Sequence, residues 1–131
     1  MKINWSEHEA LPDGGIPMVR RLVFGQNISC LHLTASEPGP LELQPHAHDN
    51  EQWVVVTAGS IHFVCEGEEY ELKAGDVAYF PSGRRHTATR VGEDGAVLLE
   101  LSAPPGWTSC RDRSSRPRCV STERRRSGRS R

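Results

Sequence analysis

Residues 45–66 read PHAHDNEQWVVVTAGSIHFVCE, and two signals overlap in that stretch. From Gln52 onward it is dense in Val, Ile, Phe and Trp, with one Gly59-Ser60 interruption. It therefore reads as two short strands, 52–58 and 60–66. At its front, His46, His48 and Gln52 share one parity. On extended chain such residues project from the same face, so two imidazoles and an amide oxygen can converge on one point unless a bulge intervenes.

The same punctuation continues in both directions. Strand-like runs fall near 18–24, 28–34, 41–46, 68–72, 77–80, 86–91 and 96–102. The breaks lie at Gly25-Gln26-Asn27, Pro38-Gly39-Pro40, Gly67, Ala74-Gly75-Asp76, Pro81-Ser82-Gly83 and Gly92-Glu93-Asp94-Gly95. No segment carries apolar residues at helical spacing for long enough to make a helix, and there is no internal repeat. Many short strands at regular spacing predict an all-β sandwich or barrel, the jelly roll included. Residues 1–17, with Pro12, Gly14, Gly15 and Pro17, read as an irregular lead-in to a β domain over 18–107.

A chain of 131 residues has room for one ordinary domain and can bury a core without disulfides or a structural metal. Its formal charge of −1 hides a division. Residues 1–107 hold seven Lys/Arg and fifteen Asp/Glu, a net of −8, whereas residues 108–131 hold nine Arg and two acids, a net of +7. An acidic body argues against nucleic-acid binding by the folded part, because phosphate contacts need a positive face. The basic tail is too poor in large apolar residues to offset its ordering entropy and is expected to be disordered. A solvated tail is favoured over an RNA-, DNA- or acidic-partner-binding arm. Its abrupt Arg/Ser/Pro/Cys bias also suits a shifted reading frame starting near Trp107.

Cys30 and Cys65 sit inside apolar runs and read as small core hydrophobes; Cys110 and Cys119 fall in the tail, without C-x-x-C spacing. The N-terminus has no apolar h-region and no run is long enough to span a bilayer. A reduced, cytoplasmic protein without a membrane partner is the expectation.

The chemistry needs a fourth donor from another strand, and His86 beyond the Pro81–Arg85 turn is the candidate. Three His mark a transition-metal site without naming the ion. His8 is expected at the surface. His32 and His62, on strands, are expected to be packed or surface residues. Gly59, Gly75, Gly83 and Pro81 are read as turn residues and Asp76 as a turn cap.

The spacing His46-x-His48-x3-Gln52-x6-Gly59, followed by Gly75-x5-Pro81-x-Gly83-x2-His86, resembles the two motifs of the cupin superfamily over roughly residues 18–105. The resemblance implies a single-domain β-barrel holding one divalent metal ion (Zn, Ni, Mn or Fe) on His46, His48, Gln52 and His86. The family's Glu is Gln52 here, with Glu51 just before it as the alternative ligand if the register shifts. Gly39 stands one residue further from His46 than is usual, and Arg90 replaces an Asn.

The run H-x-H-x-x-E-Q-W, the P-S-G-x-x-H turn and the ending from Val97 to Pro105 look like the cupins of pectin and alginate degradation, which turn unsaturated uronates into linear keto sugars. That likeness implies a proton-transfer role for Glu100. Ser102, where that group has an aromatic residue, and a missing basic residue after the prolines depart from it. Similar small cupins serve aromatic-polyketide biosynthesis. The implied function is non-redox Lewis-acid chemistry on a small oxo substrate: enolisation, ketonisation or cyclisation. An oxygen-dependent dioxygenase or a non-catalytic binding module is the alternative. Gln44, Trp53 and Tyr79 are expected at the mouth of the site, Arg84 and Arg85 at the surface, and the resemblance implies a homodimer.

Overall fold

The computed structural model describes residues 1–12 and 14–105. The expectations for the basic tail 108–131, with Cys110 and Cys119, lie outside those residues. Seven strands form: β1 Val19–Phe24, β2 Ser29–Ala35, β3 Gly39–Pro40, β4 Glu51–Cys65, β5 Glu68–Lys73, β6 Val77–Phe80 and β7 His86–Ala103. They pair in the order β1-β2-β7-β4-β5, with β3 on β7 and β6 on β4, antiparallel throughout.

Two long strands organise everything else. The first half of β4 pairs with β6 and the end of β7, and its second half pairs with β5 and the start of β7. The second half of β7 also carries β2, while β3 attaches near its start. Each long strand is thus shared by two parts of a curling sheet, the arrangement of a jelly-roll barrel. The enclosed core is aliphatic and aromatic, with Val54, Val56, Ile61, Phe80, Val91 and Leu98 all at most 1% exposed. Burying each such side chain contributes about 1.5–3 kcal/mol.

The expected breaks at Gly59 and at Gly92–Gly95 are corrected: both lie inside continuous strands. The register jumps from Gly59↔Ala96 to Ile61↔Val91, so four residues of β7 are taken up opposite Ser60 alone. Gly59 has φ +68°, and a Cβ there would stand 1.9 Å from the Gly95 carbonyl oxygen. Glycine marks a bulge here for the same reason it marks a turn, a positive φ and a close backbone approach. Gly59→Ala is therefore expected to lower stability by at least about 3 kcal/mol, measured by urea unfolding. A loss under about 1 kcal/mol would refute the close approach.

The expected strand 41–46 is also corrected. Only β3, the Leu41 N–H to Thr89 carbonyl bond (2.9 Å) and a single bridge at His46 follow β7. Pro45 has no N–H to offer a ladder, and Leu43 and Gln44 line the interior cavity instead. Cys65 packs against the core, but Cys30 does not. It lies half-buried between the inward Ser29 and Leu31, on the outer face of β2. Asp76 does cap its turn, accepting the Lys73 N–H at 2.9 Å. The lead-in contains a short 3-10 turn, Trp5–Glu7, and Leu11 and Ile16 pack against the core. No helix among the described residues is long and apolar enough to cross a membrane.

Candidate metal centre

Two backbone devices bring the histidines together, and β4 adds Gln52 to them. His46 and His86 exchange both backbone hydrogen bonds, at 3.0 and 2.9 Å, which ties the segment before β4 to the start of β7. The Gly83 N–H at the turn before β7 donates to the His48 carbonyl at 2.9 Å. Gln52 sits on β4 opposite Phe80 and Ser102, its side chain inward and 6% exposed. The His86 ring stacks on Phe80, centroids 4.4 Å apart and planes 3° apart, and meets His46 and His48 at 4.5 and 5.0 Å.

The ligand atoms of His46, His48 and His86 all lie within 4.8 Å of one another. Gln52 Oε1 is 3.0 Å from His48 Nε2 and 3.2 Å from His86 Nε2. Proton placement decides what this cluster wants. His48 Nδ1 donates to the Asn50 carbonyl (2.8 Å) and His86 Nδ1 to the Arg84 carbonyl (2.9 Å). Their Nε2 atoms therefore carry lone pairs, and they face an amide oxygen that can only accept. His46 is likewise bonded to the Gln44 backbone.

Imidazole nitrogens and an amide oxygen thus converge on one point, the kind of donor set that a divalent cation takes. Backbone carbonyls that fix the outward ring nitrogen are the usual support of a metal-ligating imidazole. Burial, with the His86 and His48 charges, lowers His46 to about 4, and burial lowers His86 as well. Both rings are neutral, with lone pairs available, at pH 7. The residues fit a metal ion.

Glu100 lines the same cavity of about 350 Å³ as His46, Gln52 and His86. It stands two residues along β7 from Ser102, the partner of Gln52, so it lies about 7 Å below the donor row on the same face. The residue is half-buried. Burial raises its carboxyl to about 7, against the opposing pull of the Arg20 guanidinium. Arg20 is itself 7% exposed, lines the cavity and donates to the Pro12 carbonyl at 2.9 Å.

A raised carboxyl contributes stability that is fully present below its ordinary value of 4.5 and is lost as pH rises through about 7. Glu100→Gln, which never ionises, is therefore expected to match the metal-free wild type at pH 4. At pH 8 it should exceed it by about 2–3 kcal/mol, read from urea unfolding at both values. Equal stability at pH 8 would show that the carboxylate is not buried at a cost.

Other expectations fall out as follows. Gln44 lines the cavity, but Trp53 and Tyr79 do not. They stack on each other at 4.6 Å on the outer face, 42% and 45% exposed. The alternation that turns Gln52 inward turns Trp53 outward. Glu51 is likewise outward, accepting from the Tyr79 hydroxyl at 3.2 Å, and the register from Glu51 to Val56 is unbroken. Arg84 and Arg85 are exposed. His8 is half-buried beside Trp5, His32 stacks on Trp5 at 5.0 Å, and His62 lies opposite Glu71 and Arg90. Arg20 was the residue to look for in the sequence, since it shares parity with Met18 and Leu22.

An all-β barrel closed around three convergent imidazoles defines a class, the metal-binding cupins. The chain belongs to the cupin family: the family model for the cupin domain matches residues 32–102. Among solved structures it is similar to an RmlC-like cupin from Shewanella frigidimarina NCIMB 400, with 23% identity and TM-score 0.65, covering 79% of this chain and 89% of that one. It is also similar to KdgF from Halomonas sp., with 22% identity and TM-score 0.64, covering 79% and 91%. A mutant of Bacillus subtilis oxalate decarboxylase OxdC aligns at 19% identity and TM-score 0.67, covering 82% of this chain and 30% of that one. At such identities the likeness concerns the fold. No curated protein gives a significant match.

Proposed function

We propose that this chain holds one divalent ion (Zn, Ni, Mn or Fe) on His46, His48, Gln52 and His86 and performs non-redox Lewis-acid chemistry on a small oxo substrate. Enolisation, ketonisation and cyclisation share the required step, removal of a proton from a carbon next to a carbonyl. The observation that carries the reading is Glu100, a carboxyl raised to about 7 by burial in the cavity that the donor atoms face. A bound ion would polarise the carbonyl oxygen of the substrate.

The protein's own groups do the remainder. Glu100 is present in both protonation states near neutral pH, so it can take the proton and return it elsewhere. His46, His48, Gln52 and His86 bring no negative charge, which leaves the ion its full positive charge for that polarisation. An oxygenase with a two-His, one-carboxylate face is disfavoured, because Glu51 points away and Glu100 lies a row below the donors.

The test is deuterium wash-in at the carbon next to the carbonyl, followed by NMR in deuterated buffer, with and without oxygen, beside elemental analysis of the protein. Exchange that needs the ion and ignores oxygen is expected. Activity that vanishes without oxygen would replace this reading with a dioxygenase. Stoichiometric metal with no exchange would leave a binding module. The homodimer is part of the proposal, and sedimentation measures it.

A further inference from the structure

We infer that the substrate is a predominantly apolar carbonyl compound, an aryl or alicyclic ketone or diketone, and not a polyhydroxylated sugar acid. The word substrate rests on the function proposed above; the selectivity of the cavity does not. The cavity of about 350 Å³ is at the small end of the ~300–1,000 Å³ range of ligand pockets, so it takes one compact molecule. Its polar groups are unevenly placed. Beside the metal donors, Ser29 and Ser102 stand in the Gln52 row, since Ser102 is in register with both Ser29 and Gln52. Below that row the walls are Leu22, Leu31, Leu33, Leu43, Phe63 and Leu98.

The polar side chains at that depth are largely engaged. Thr87 Oγ donates to the Ala88 carbonyl at 3.3 Å and Arg20 donates to the Pro12 carbonyl. Glu100 is kept for the proton. A hexuronate carries a hydroxyl or carboxylate on nearly every ring carbon and on both faces of the ring. Each hydroxyl desolvated against leucine without a partner lowers affinity by roughly 5- to 100-fold. An apolar ring loses nothing there and gains from the same leucines. Only the carbonyl end needs polar company, and the donor row supplies it, with the exposed Gln44 two residues before His46 adding an amide at the opening.

Calorimetric titration of the full chain, as isolated with metal and after chelator treatment, decides between the two chemistries. The probes are 1-tetralone, an apolar bicyclic ketone that does not chelate, and galacturonate. Tetralone is expected to bind at least 30-fold more tightly than galacturonate to the metal-loaded protein. It should keep that preference, at lower absolute affinity, once the ion is removed. Leu43→Asn alters a half-buried wall residue outside the strands. It should cut tetralone affinity at least fivefold while leaving metal content unchanged.

Tighter binding of galacturonate, or binding of neither probe, would overturn the inference. So would a preference that disappears with the metal, or one that Leu43→Asn leaves intact. Failure of the Lewis-acid reading would appear instead in metal content and deuterium exchange, with this comparison unaffected.

Discussion

Replacing His46 with Ala is expected to leave the barrel folded and to strip it of metal. The contacts that hold this segment against β7 are made by the backbones of His46 and His86, and the substitution keeps them. The ring that is lost is only half-buried, so the stability change should stay within about 1–2 kcal/mol. Affinity for the ion should fall far more. Removing even a supporting group around a metal ligand costs roughly 10–100-fold, and here a donor itself goes. Elemental analysis after dialysis in micromolar metal, beside a circular-dichroism melt, reads both quantities. His86→Ala should do worse on both counts, because that ring is 2% exposed and stacked on Phe80, and a cavity of that kind costs about 2–4 kcal/mol. His62→Ala, on the far half of β4, should keep its metal. Were His46→Ala to retain a full complement of ion, the centre would have to lie elsewhere.

How much of this could be read from the sequence differs from residue to residue, and the reasons are physical. Shared parity aimed His46, His48 and Gln52 at one point, and the three side chains do converge, but by another route. The chain has a single bridge at His46 and bends at Asp49–Asn50, so backbone bonds to His86 and Gly83, not strand alternation, place the two rings. The cluster itself needed no strand at 41–46, because one bridge with His86 fixes His46 as well as a ladder would. Parity applied one residue further would have turned Trp53 outward, and the expectation that it lines the mouth ignored that rule. Gly59 and Gly92–Gly95 were read as turns because glycine signals a positive φ and not what the chain does next. Two strands of 15 and 18 residues, each kinked at such a point, look like four short ones. Around Glu100 the run Val97-Leu98-Leu99-Glu100-Leu101 is apolar on both parities, since the outer face of β7 is partly covered too. Alternation could not choose a side there, and only family resemblance raised the residue at all. Arg20 shows the opposite failure, an inward charge that the composition of its strand disguises as a surface one.

Glu100→Gln should abolish most turnover while leaving metal binding intact. The substitution keeps the size of the side chain and removes its ability to exchange a proton, so it tests proton transfer separately from packing. General acid–base groups contribute about 10²–10⁴-fold, and kcat/KM is expected to fall by that factor. Misfolding cannot account for the loss, because the same variant should be the more stable one at pH 8. The pH profile gives a second, independent readout. If Glu100 acts as base, the wild-type rate rises through about pH 7 as the carboxyl ionises, and the variant lacks that limb. Arg20→Met should move the limb to higher pH, because the guanidinium charge holds Glu100 below the value that burial alone would impose. A merely structural carboxyl would leave the profile unmoved in both variants. Wild-type kcat in Glu100→Gln with an unchanged limb would make Glu100 a wall residue and assign the proton to some other group in the cavity.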